Sequence, residues 1–78
     1  MAAIQHQFPS TVRLPASPTI DTNELRIALG QPSAALVSLW RKDRNFPVAL
    51  RDGNACFCVT AQVESWLHNQ GIEVERLP

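Results

Sequence analysis

The chain has 78 residues, of which 45% are hydrophobic, and seven Lys+Arg balance seven Asp+Glu. That describes at most one domain, near the lower size limit for a self-sufficient core, and too apolar to be disordered throughout. The balanced charge excludes a uniformly basic nucleic-acid binder, and no apolar run approaches the roughly 20 residues that span a membrane.

The first 19 residues hold Pro9, Pro15 and Pro18 among Ser, Thr and Gln, with no usable periodicity. They read as a mobile N-terminal arm, residues 1–19, although Phe8, Val12 and Leu14 could anchor a short extended piece. Asp21 opens the first helix. Asp21-x-x-Glu24 has the spacing of a capping box, and Leu25, Ala28 and Leu29 form an apolar face ending at Gly30. A second helix follows after a tight connection and starts at Pro32-Ser33. Leu36, Leu39 and Trp40 are its expected buried stripe, with Ala34, Ser38 and Arg41 on the opposite face. Pro47 stops it.

Next comes Phe46–Val59, which contains Asp52-Gly53, a strong signal for a two-residue hairpin turn. Val48–Arg51 and Ala55–Val59 are its predicted arms. Thr60 is the expected cap of a third helix, whose face is Val63, Trp66 and Leu67 and whose end is Gly71. The tail, residues 71–78, alternates Ile72, Val74 and Leu77 with charges, and reads equally as a short strand or as a solvated end. One hairpin among three short helices, the first two tightly joined, predicts an α+β fold: a small winged helix-turn-helix over residues 20–70.

The charges are unevenly spread. Arg41, Lys42, Arg44 and Arg51 outnumber Asp43 and Asp52 between Arg41 and Asn54, while Glu64, Glu73 and Glu75 outnumber Arg76 beyond Ala61. The four cations are the phosphate-binding candidates. If three or four of them each neutralise a phosphate, the salt slope is about −3 to −4, so one copy binds weakly. Useful occupancy then needs further copies side by side or a DNA-bound partner.

Cys56, Cys58 and His68 fall short of the four ligands zinc prefers, and His6 sits on the arm. The cysteines, alternating on one strand face, read as small core residues, with no metal and no cofactor. Two cysteines make no disulfide scaffold, and the N-terminus lacks the basic-then-apolar order of a signal peptide, so a cytoplasmic location is expected. Trp40 and Trp66 read as core. No nucleophile–base–orienter set and no glycine-rich phosphate loop is present, so the expectation is a protein that is not an enzyme.

The run Leu39-Trp40-Arg41-Lys42-Asp43-Arg44-Asn45-Phe46-Pro47, followed by Asp52-Gly53, Val63 and Trp66-Leu67, resembles phage excisionases and the related AlpA- and MerR-type winged helices. The resemblance covers about Asp21–Leu67. It implies a second helix in the major groove of double-stranded DNA, with Ala34, Ser38 and Arg41 on its groove-facing side, beside Lys42 and Arg44 from the cation cluster as DNA contacts. It implies a wing reaching the minor groove through Arg51 and Asn54. Ala34 stands where a polar residue is common, and Asn54 where the wing tip is often basic. The implied role is an architectural factor near an attachment site that biases a tyrosine-type integrase toward excision. The basic C-terminal tail of some excisionases is replaced here by Glu73-Val74-Glu75-Arg76. The alternatives are a small phage or prophage transcriptional regulator with the same head, and a protein-interaction module using the Trp40 region or the arm.

Overall fold

The computed structural model describes residues 7–78. The start of the expected arm, with His6, lies outside them. In chain order the elements are β1 (Thr11–Leu14), β2 (Thr19–Asp21), α1 (Thr22–Ala28), α2 (Ala34–Asp43), β3 (Leu50–Asp52), β4 (Ala55–Val59), α3 (Thr60–Asn69) and β5 (Glu73–Arg76). β2, β4 and β3 form an antiparallel sheet with β4 central, and β1 and β5 form a separate parallel pair. Three helices beside a small hairpin give a winged-helix-like topology in a small α+β domain.

Each helix boundary has a local cause. Asp21 caps α1 by accepting from the Asn23 amide at 2.8 Å, and Ser33 caps α2 by accepting from the Leu36 amide at 3.1 Å. α1 ends in a paired-bond C-terminal motif: Gly30 N–H donates to Ile27 and Gln31 N–H to Arg26. That motif needs the positive φ of Gly30, +88°. α3 ends the same way at Gly71, with Ile72 N–H on the Leu67 carbonyl. α2 stops at Asn45, whose φ is +58°; asparagine tolerates this region better than most residues.

The described part of the expected mobile arm is ordered. β1 pairs in parallel with β5, Val12 opposite Val74, and Val12 and Leu14 are both 0% exposed. The tail is therefore a strand, and the boundaries drawn at residues 19 and 71 fall inside one core that includes Val12, Leu14, Ile72 and Val74. The prolines that argued for mobility flank β1 instead of interrupting it. Arg76 fastens the pair from outside: it donates to the Pro15 and Ala16 carbonyls and to Glu64.

Four rings fill the centre. Phe8 and Trp40 stack at 5.3 Å, Trp40 and Trp66 at 5.6 Å, and Phe46 meets Trp66 edge-on at 4.7 Å. Trp66 Nε1 donates to the Arg44 carbonyl at 2.8 Å, which satisfies its one polar atom and joins α3 to the end of α2. Val63, Trp66 and Leu67 are buried as predicted. In α2 the stripe is shifted. Val37 and Trp40 are buried, Leu36 is half-buried and Leu39 is 47% exposed. Leu39 lies one turn-position too far round to join Val37 and Trp40 against α3 and the rings.

Two local expectations move by a residue. The wing turn centres on Gly53-Asn54, because Asp52 already pairs with Ala55 and Leu50 with Phe57. Gly53 takes φ +61° and Asn54 does not share the positive region, the pattern of a type II′ turn. The first arm spans Leu50–Asp52, so it starts two residues later than the expected Val48 and ends one residue later than Arg51. The cap of α3 is Val59, not Thr60. Val59 still pairs with Thr19, and Thr60 N–H donates to Pro18 at 2.9 Å, so strand runs straight into helix.

Candidate nucleic-acid interface

The residues predicted to read DNA fall into four places. Ala34, Ser38 and Arg41 line a groove of about 230 Å³ between α1, α2 and the wing side of the sheet. Lys42 is exposed on the outward side of α2. Arg44 lines a second, open groove of about 650 Å³ against α3, whose wall is rich in amides, among them Asn45, Gln62 and Asn69. Arg51 and Asn54 stand exposed on the wing. Arg41, Lys42 and Arg44 are thus spread round the end of α2, because consecutive residues turn about 100° each.

Arg41 is held firmly. Its Nε donates to the Pro47 carbonyl at 3.1 Å, and its guanidinium carbon lies 5.7 Å from the centre of the Phe46 ring. Arg26, on α1, has an equivalent anchor: its Nε donates to the Pro32 carbonyl at 3.0 Å. Arg26 lines the same groove as Arg41 and was not among the predicted site residues. The sequence does carry a signal for it. Both arginines stand six residues before a proline, at the end of a helix that closes through a residue of positive φ. The chain doubles back there, bringing the proline carbonyl to the guanidinium.

Apolar Leu25, Leu29 and Val37 contribute to the groove wall, and no Asp or Glu lines the groove among the described residues. Two fixed cations facing an acid-free concavity favour an anion. Burial pushes the Cys58 thiol above its ordinary value of 9.0, while the hydrogen bond and charge of Arg41 act in the opposite direction. Cys58 is fully buried, and Cys56, half-buried, lines the groove. Among the described residues no group of His, Cys, Asp and Glu side chains could hold a metal ion. No described helix is long and apolar enough to cross a membrane.

Comparison with family models, curated proteins and solved structures finds no match to this chain.

Proposed function

We propose that the chain is a sequence-selective, non-enzymatic DNA-binding protein, in which α1 and α2 act as a helix-turn-helix and the β3–β4 hairpin as its wing. One observation carries the reading: α2 presents Ser38 and Lys42 to solvent beside a hairpin that projects Arg51, with arginines in the groove between them. In this arrangement α2 enters the major groove, and Ser38 and the Arg41 guanidinium edge bond base edges or phosphates. The wing makes a light minor-groove contact, since Asn54 at its tip brings no charge.

The resemblance of Leu39–Pro47 and the following wing to excisionases supports a more specific role: an architectural factor that binds near an attachment site and biases a tyrosine-type integrase toward excision. A small phage regulator would use the same head. The interaction-module reading loses its best surface, because Trp40 is 2% exposed and residues 11–14 of the arm are already paired. The cation count keeps single-copy binding weak, so further copies on adjacent sites, or a bound partner, supply occupancy.

Chemical-shift mapping with duplex DNA tests this. Perturbations over Ala34–Arg44 and Arg51–Asn54, with a salt slope of about −3 to −4, are expected. Perturbations confined elsewhere, or tight single-copy binding to an isolated site at physiological salt, overturn it.

A further inference from the structure

We propose that Arg26, together with Arg41, forms a preorganised clamp for a backbone phosphodiester of duplex DNA in the groove between α1, α2 and β4. The inference rests on the DNA-binding reading above and adds to it a seat on α1, outside the reading helix and the wing.

Three features of the groove point to this occupant. First, each guanidinium is fixed by its own Nε, on Pro32 for Arg26 and on Pro47 for Arg41, at 3.0 Å and 3.1 Å. An arginine has five N–H donors in a rigid fork. With Nε tied to the chain, the Nη groups are held in a defined direction, and rotamer freedom is already lost before any ligand arrives. Second, the lining residues include two cations and the polar side chains of Asn23 and Ser38, but no carboxylate. An arginine placed for an internal ion pair would have an acid beside it. No salt bridge joins either arginine to an acidic side chain within ion-pair distance among the described residues. Third, the wall is apolar, from Leu25, Leu29 and Val37. It lowers the polarity on one side of the cations, strengthening their field on an anion, and accepts the face of a deoxyribose.

The position also fits. A helix in the major groove and a wing in the neighbouring minor groove leave one sugar–phosphate strand passing between them. Ala49 and Cys56 on the hairpin side and Ser38 on α2 flank that passage. A phosphate there is shared by two guanidiniums that come from different helices, so it fixes the register of the whole head on the duplex without reading sequence.

The experiment compares the full chain with Arg26→Gln and Arg26→Lys, on a duplex selected by the unsubstituted chain from a random pool (the specific duplex) and on an unselected duplex of the same length, by fluorescence anisotropy over a range of salt. Arg26→Gln is expected to weaken both duplexes by a similar factor and to make the salt slope shallower by about 1. Arg26→Lys keeps the charge, so it retains the slope while losing part of the affinity, because the amine lacks the anchored fork. Since the Pro32 bond also closes the α1–α2 turn, thermal melts accompany both variants. Independently of any substitution, the arginine Nε–Hε resonances of Arg26 and Arg41 are expected to shift together when duplex is added to the unsubstituted chain. If the unsubstituted chain binds no duplex, the DNA-binding reading and the clamp fail together. If it binds, but Arg26→Gln leaves the slope unchanged or the Arg26 resonance stays still, only the clamp fails. Shifts produced by an acidic peptide and not by duplex would assign the groove to a carboxylate partner and overturn the proposal.

Discussion

The β1–β5 pair and the β3–β4 hairpin are both made of two short strands, on the same small core, and they serve opposite ends. In the first, residues far apart in the chain meet, Thr11 beside Glu73, and both apolar side chains of β1 are fully buried. In the second, Asp52 and Ala55 meet across two residues, and every residue of β3 is exposed. Closing the long loop costs roughly 3 kcal/mol more than closing a short one, at about 0.6 kcal/mol per doubling of length. Burying Val12 and Leu14 returns about 1.5–3 kcal/mol each. The distant pair therefore holds because it is buried, and the hairpin because it is local. Stability sits in the clasp, and the wing adds little buried surface to it.

The largest break in this comparison is Leu14→Ala. It removes a fully buried side chain from the clasp and is expected to cost about 2–5 kcal/mol. A chain of this length has roughly 4–12 kcal/mol in total. Urea denaturation should show the midpoint falling steeply. A change under about 0.5 kcal/mol would mean that β1 is not part of the folded core.

Gly53→Ala attacks the other region and should do less. A Cβ at Gly53 meets nothing within 4 Å, so the penalty is torsional only, from φ +61°. It is about 1–3 kcal/mol, confined to the wing. Amide exchange should quicken at β3 and at the Ala55 end of β4 while the α3 amides keep their protection. Loss of protection in α3 as well would show that the hairpin supports the core.

The same contrast explains what could be read from the residues alone. The hairpin was legible because its signal is contiguous: a glycine able to take positive φ between β-favouring arms. The ends of α1 and α3 were legible at Gly30 and Gly71 for the same reason. β1 was not, because Thr11–Leu14 has only two inward positions and its partner lies at the far end of the chain. The predicted α2 stripe chose Leu39 over Val37 because a strict apolar spacing does not say which side α3 covers. At the candidate interface, α2 and the wing carried visible charges between Arg41 and Arg51. Arg26 was passed over because a lone cation on α1 gains meaning only from the carbonyl of Pro32, beyond the turn.

β4 runs from the wing into the core, and its two cysteines mark the change from one to the other. Cys56 lies half-exposed toward the groove and Cys58 lies in the core. Burial holds the Cys58 thiol proton more tightly in the folded chain than in the unfolded one, with Arg41 only partly opposing it. Above the ionisation range of the unfolded thiol, the unfolded chain therefore binds fewer protons, and unfolding becomes easier as pH rises. The contribution is complete below that range and is lost progressively as pH climbs toward the higher folded value, with a slope of at most ~1.4 kcal/mol per pH unit for one group. Under reducing conditions, denaturation midpoints measured from pH 7 upward should fall more steeply in the unsubstituted chain than in Cys58→Ala. The variant begins lower because it opens a small cavity, so the slope is the quantity to compare, not the level. Parallel pH profiles for the two proteins would mean that the thiol ionises as easily in the folded chain as in the unfolded one, and that the core end of β4 is as open to water as its wing end.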